Sequence, residues 1–189
     1  MLNFNTEISE KYSISNFSME EKSPIGKINL RGDIDNKNFV SKVGKILGVI
    51  LPKEACSSSM REKITSLWLG PNEWLIVSNE KMPKGTNTYE LENVLYENIS
   101  KTNLGSVTNV TDQFTIFSLS GSSIIKILSK SCPFDFESNN FSNNKVIQTI
   151  LNHTDVTIHK KNENDIDLYV RRSFAKHLWD WLKDSASLI

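Results

Sequence analysis

Apolar residues along this chain fall into short runs whose spacing switches between two and about 3.6 residues, the periods of strand and helix. "GKINLRG" (26–32) reads as a short strand. In "DIDNKNFVSKVGKILG", Phe39, Val40, Val43, Ile46 and Leu47 recur at helical spacing. Asp33 or Asp35 is placed to cap that helix, Gly48 suits its C-terminal cap, and Pro52 bars its continuation. "ACSSSMREK" is a polar loop leading to "ITSLWLGPNEWLIVS", two strands around a Gly70-Pro71-Asn72-Glu73 turn. "TYELENVLYENIS" is a second helix, with Tyr89, Val94, Leu95 and Ile99 toward one face.

The order then repeats. "SVTNVTDQFTIFSLSG" is a long strand region ending at Gly121, and "SSIIKILSKSC" a short helix stopped by Pro133. "KVIQTIL", "DVTIHK" and the alternating "DIDLYV" are strands, and "RSFAKHLWDWLKDSA" is a closing helix. Each half runs strand–Gly–helix–Pro, then strands, then helix. The expected architecture is α+β: two related lobes of mainly antiparallel sheet with helices packed on them, about 26–104 and 105–189. The first 25 residues are polar and lack a period, which predicts a flexible or partner-ordered arm.

Composition narrows the function. A chain of 189 residues buries roughly 70% of its unfolded surface, enough for a core without metal or disulfide staples. Lys+Arg and Asp+Glu are both 22, and no run concentrates positive charge, which argues against nucleic acid or an anionic membrane as partner. Zero net charge gives little colloidal repulsion and suits a chain held in a complex. No basic segment followed by an apolar run opens the chain, and no stretch approaches about 18 apolar residues; a cytoplasmic location is expected. Cys56 and Cys132 belong to no C-x-x-C and read as idle thiols.

Candidate chemistry is sparse. In "HTDVTIH" a strand would place His153, Asp155 and His159 on one face, but six residues of strand span about 20 Å, too far for one ion. No G-x-S-x-G, P-loop or dinucleotide fingerprint occurs; Ser120, Ser122 and Ser123 read as caps of the following helix. No residue is therefore assigned a catalytic, cofactor-binding or metal-binding role. Arg171 and Arg172, between a strand and the last helix, could hold a carboxylate of a ligand or a neighbouring chain. Four tryptophans remain. Trp179 and Trp181 point roughly 200° apart on a helix, so with Phe174, Leu178, Trp181 and Leu182 inward, Trp179 faces out as an interface anchor. Trp68 and Trp74 straddle two faces of the strand pair, with Pro71 and Asn72 at its rim. The interface candidates are Trp68, Pro71, Asn72, Arg171, Arg172 and Trp179.

"LRG", "SLWLGPNEWLIV", "FSLSG…ILSKSCPFDF" and "DLYVRRSFAKHLWDWL", in this order from about Ile28 to Ala186, resemble the gamma subunit family of heterotetrameric sarcosine oxidase. The resemblance implies a fold like the folate-binding domain of aminomethyltransferases and a subunit without catalytic residues of its own. It implies partners too: large alpha and beta chains and a small delta chain. The complex would oxidatively demethylate sarcosine to glycine with formation of hydrogen peroxide and methylene-tetrahydrofolate. FAD, FMN, NAD and tetrahydrofolate would be held by the partner chains. The alternatives are the small subunit of N-methylglutamate dehydrogenase and a stand-alone folate-binding aminomethyltransferase-like protein. The latter are longer, end in a further barrel domain or carry a K-G-C-Y-x-G-Q signature absent here.

Overall fold

Two short strands near the N-terminus, β1 (Lys11–Ile14) and β2 (Phe17–Glu21), form an antiparallel hairpin with Ile14 opposite Phe17. The computed structural model describes residues 8, 10–22, 25–80, 88–137 and 141–189. Within them, the expectation of a flexible arm is corrected: β2 pairs with the strand Phe114–Ser120, and the Lys22 amide donates to the Ile116 carbonyl. The physical reason is a period-two signal only two residues long. Phe17 and Met19 alternate into the core, 2% and 1% exposed, and Ile8 joins them. The rest of the expected arm lies outside the described residues.

The chain forms two compact units. One contains the described residues from 25 to 111; the other joins the N-terminal hairpin to 112–189.

In the first unit, β3 (Gly26–Gly32) leads into α1 (Lys37–Leu47). Asn36 caps this helix, its Oδ1 accepting from the Asn38 and Phe39 amides at 3.0 and 3.3 Å, so the expected caps Asp33 and Asp35 lie three residues and one residue too early. Gly48 closes it in the left-handed conformation, φ 65°, as expected. β4 (Ser58–Arg61), β5 (Ile64–Gly70) and β6 (Glu73–Ser78) follow, then α2 (Glu90–Leu95), which continues as one π-helical turn through Ser100, and β7 (Gly105–Asn109). The antiparallel sheet runs β4-β5-β6-β3-β7. Helical residues Phe39, Val43, Leu95 and Ile99 cover Ile28, Leu30, Trp74 and Ile76 on one of its faces. Val94, expected inward, is exposed, and Leu91 takes the place at helical spacing from Leu95. Gly32 and Gly105 are cross-strand partners beneath Phe39; a Cβ at Gly32 would lie 2.3 Å from the ring. Backbone and aromatic ring approach that closely only because both positions are bare.

In the second unit, β8 (Phe114–Ser120), α3 (Ile124–Leu128), β9 (Val146–Leu151), β10 (Thr154–Asn162) and β11 (Asp165–Arg171) lead through a 3₁₀ turn (Arg172–Phe174) into α4 (Ala175–Ser187). The sheet runs β1-β2-β8-β11-β10-β9, again antiparallel. Ile166, Leu168 and Val170 alternate onto the face that α3 and α4 cover, as their spacing predicts. Asn152 and His153, at φ 47° and 61°, make the tight β9–β10 turn, whose left-handed geometry matches strand twist. The single long strand expected before Gly121 is instead β7 and β8, one in each sheet. The change of unit therefore falls between Thr111 and Asp112, not at 104/105.

Phe17→Ala is expected to destabilise the protein by about 3–5 kcal/mol, the cost of removing a fully buried phenylalanine, measured by urea unfolding. A loss near zero would return the hairpin to the status of a loose arm.

Candidate functional site

The Gly70–Glu73 turn is pinned rather than free. The Asn72 carbonyl accepts from the Gly32 amide at 3.1 Å, and its side-chain oxygen from the Ile34 amide at 3.3 Å. The Glu73 carboxylate accepts from Asn29 at 2.6 Å and Arg31 at 2.9 Å. Burial pushes the Glu73 carboxyl up, but the Asn29 and Arg31 hydrogen bonds and the Arg31 charge outweigh it and hold the group below its usual value. Pro71 and Asn72 stay exposed at the tip.

Trp68 and Trp74 are direct partners across β5 and β6, so both lie on one face of the sheet and the expected straddling of two faces is corrected. Trp74 is wholly buried against Phe39, ring centroids 6.0 Å apart, and its indole N–H donates to the Pro52 carbonyl at 2.8 Å. Trp68 is half-buried at the margin of the same core. This pair acts in folding first, with a rim of Trp68, Pro71 and Asn72 left accessible.

On α4 the sequence-based phasing is corrected. Trp179 is 1% exposed, Trp181 is half-buried, and Phe174 is 46% exposed. Ala175, Leu178, Trp179, Leu182 and Ala186 form the buried stripe, at i, i+3, i+4, i+7 and i+11. The stripe includes two alanines, which the aromatic residues overshadow in the sequence. Trp179 packs on Phe117 at 5.4 Å, and its indole N–H reaches the Glu10 carboxylate at 3.0 Å. Hydrogen bonds from Lys183, first, and from Trp179 hold the Glu10 carboxyl below its usual value. The N-terminal segment thus supplies the acceptor that makes burial of Trp179 possible.

The histidine constellation is not assembled. His153 is exposed in the β9–β10 turn, Asp155 is exposed, and His159 is buried. Among the described residues no group of three His, Cys, Asp or Glu is arranged to hold a metal ion. Instead His159 stands opposite Asp167 across β10 and β11, a pairing that no sequence spacing reveals. Asp167, 4% exposed, is paired with Lys22 at 2.6 Å and Lys161 at 3.0 Å. Burial pushes the His159 imidazole down to about 4 from 6.5, with the Asp167 charge opposing and the two lysines assisting. Burial also pushes the Tyr169 phenol up. Ser120, expected as a helix cap, donates to Asp165 at 2.6 Å, and Ser123 precedes α3 with no side-chain cap bond.

Arg171, the last residue of β11, and Arg172, the first of the 3₁₀ turn, line an open groove of about 560 Å³ with Asp112, Gln113, Ser173 and Lys176. The Arg172 amide donates to the Gln113 carbonyl at 2.9 Å, and its guanidinium lies 3.4 Å from Asp112. Arg171 is exposed.

Residues 31–188 match the family described as "Sarcosine oxidase, gamma subunit family". The chain belongs to this family. Two relatives carry the name "Sarcosine oxidase subunit gamma" and come from Corynebacterium sp. strain U-96 and Arthrobacter sp. They are 31% identical over 64% of this chain and 29% identical over 74% of it. The chain spans about half the length of the curated relatives it matches, 55% of the first and 65% of the second. A chain of the heterotetrameric sarcosine oxidase from Corynebacterium sp. U-96, solved with pyrrole 2-carboxylate, superposes with a TM-score of 0.80 at 25% identity. That match covers 90% of this chain and 84% of the other. The glycine cleavage system aminomethyltransferase T from Bartonella henselae shares the fold, with a TM-score of 0.61 at 12% identity over 89% of this chain and 45% of its own. The expected α+β architecture, with the fold seen in that aminomethyltransferase, is thereby shown. Among the described residues no helix is long and apolar enough to cross a membrane.

Trp179→Ala is expected to cost about 3–5 kcal/mol of folding stability, read by urea unfolding of the isolated chain; retention of full stability would restore Trp179 as an outward anchor. The depressed His159 value fixes the sign of a pH effect: its contribution is complete above pH 6.5, falls as pH drops toward 4 while the unfolded imidazole binds its proton first, and levels off below. The total loss across that window is roughly 3 kcal/mol. Unfolding free energies of the protein and of His159→Asn, measured across it, should show the steeper fall only in the former.

Proposed function

We propose that this chain is the non-catalytic gamma subunit of a heterotetrameric sarcosine oxidase. The observation that carries the proposal is the superposition on the Corynebacterium complex over 90% of this chain, joined to the family match over residues 31–188. In this reading the chain supports assembly of an enzyme that demethylates sarcosine to glycine with release of hydrogen peroxide. FAD, FMN, NAD and tetrahydrofolate belong to the larger alpha and beta chains, and a small delta chain completes the complex. The location is cytoplasmic.

The local chemistry supports such a role. Trp74 and Trp179 are spent inside the two units, and His159 is held neutral at physiological pH. The accessible remainder, Trp68, Pro71 and Asn72 on one unit and Arg171 and Arg172 on the other, is proposed as subunit-contact surface. Trp179 has no place in it. The names of the relatives favour sarcosine over N-methylglutamate as the substrate of the complex.

The test is affinity purification of the tagged chain from its native host, followed by visible spectroscopy and assay of sarcosine-dependent peroxide. Flavin-bearing partner chains and peroxide are expected. Partners active only on N-methylglutamate would transfer the chain to that enzyme. A colourless lone chain from cells expressing the partners would overturn the proposal.

A further inference from the structure

The groove at the end of β11 has an excess of positive charge in its lining. Its lining places three cations, Arg171, Arg172 and Lys176, against one carboxylate, Asp112. The chain as a whole carries 22 basic and 22 acidic residues, so this excess is local. Arg172 is engaged by Asp112, and Lys176 by Asp180 one turn along α4. Arg171 makes no ion pair among the described residues, and its guanidinium lies in solvent. The first turn of α4 contains no acidic residue, so the positive end of the helix adds to the cations instead of being neutralised. Phe174, in the turn between Arg172 and α4, is 46% exposed.

We propose that this groove docks an acidic segment of a larger partner subunit, with carboxylates on Arg171 and Arg172 and an apolar side chain against Phe174. The proposal rests on the assembly reading above. A polypeptide is favoured over a free carboxylate metabolite by magnitude. A solvent-exposed ion pair contributes little by itself, so a small anion in an open groove gains little, whereas a segment tethered in a large interface sums several contacts at no further cost of association. Nucleic acid is disfavoured because the cations form one short cluster, not a stripe that follows a phosphate backbone. Arginine is the apt residue, since its planar fork donates two parallel hydrogen bonds to a carboxylate.

The test uses the co-expressed complex. Arg171→Glu with Lys176→Glu is compared with the unchanged chain for binding to the remaining subunits, at low and high salt. A charge-matched control carries Lys37→Glu with Lys53→Glu at a groove of the other unit. The expected result is affinity weakened by about tenfold or more at low salt with a flattened salt dependence, while the control stays near the unchanged chain. Urea midpoints check folding. If the double variant is unstable, Arg171→Gln, which removes only an exposed unpaired guanidinium, is read instead and should still weaken binding. Binding of the variants within about twofold of the unchanged chain, or an equal loss in the control, would overturn the docking site while leaving the assembly reading intact. Failure of the unchanged chain to bind any larger subunit would overturn both.

Discussion

An indole ring buried in a protein core keeps most of the free energy of its burial only if its N–H finds a hydrogen bond, because a buried donor without an acceptor costs about 1–3 kcal/mol. Each unit of this chain meets that condition once, in its own way. In the first, the loop after α1 brings the Pro52 carbonyl to 2.8 Å from the Trp74 nitrogen. Proline suits the place, having a carbonyl to give and no amide of its own to satisfy. In the second, the acceptor is Glu10, at 3.0 Å from Trp179 and distant in sequence by 169 residues. The burial of Trp179 therefore depends on chain from the opposite end of the molecule.

That dependence explains the organisation of the second unit. β8 would be an open edge, its row of amides and carbonyls free to pair with any other strand, were β2 not laid along it. The same hairpin carries Phe17 and Met19 beneath the sheet, and its turn passes so close to Gly121 that a Cβ there would lie 2.3 Å from the Asn16 carbonyl. Gly121, at φ 125°, meets two demands at once: a backbone conformation closed to other residues and a close crossing of two chains. Lys22, emerging from β2, then pairs with the buried Asp167, so the hairpin is fastened by polar contacts as well as apolar ones.

Elements with a full period were legible in the sequence: β3, α1, the β5–β6 hairpin, β9 to β11 and the Gly48 cap all follow from spacing and turn chemistry. What was not legible depends on partners distant along the chain. β1 and β2 offer only two core residues, fewer than any periodicity can separate from chance, and β4 is a run of serines and charges that becomes a strand because β5 offers it an edge. The division of one expected strand into β7 and β8 is a choice between two sheets, which local pattern does not encode. At the candidate site, the exposure of Pro71, Asn72 and Arg171 followed from turn and strand-end positions. The phasing of α4 did not, because the buried stripe is defined as much by the small Ala175 and Ala186 as by the aromatic residues, and alanine carries little apolar signal in a sequence. The pairing of His159 with Asp167 is set by strand register alone.

The surface left for partners follows from what the core has taken. A tryptophan commonly anchors an interface because it combines a large apolar area with one polar edge; here two of the four are committed to the interior with their polar edges satisfied, and Trp68 keeps only a margin outside. The accessible chemistry is consequently concentrated where elements end. One such place is the rigid Pro71-Asn72 tip, held by hydrogen bonds to Gly32 and Ile34, and another is the cationic end of β11. The main chain of both is fixed by contacts to ordered elements, so a partner meeting either would order little further backbone, and at β11 the arginine side chains carry the remaining entropic cost.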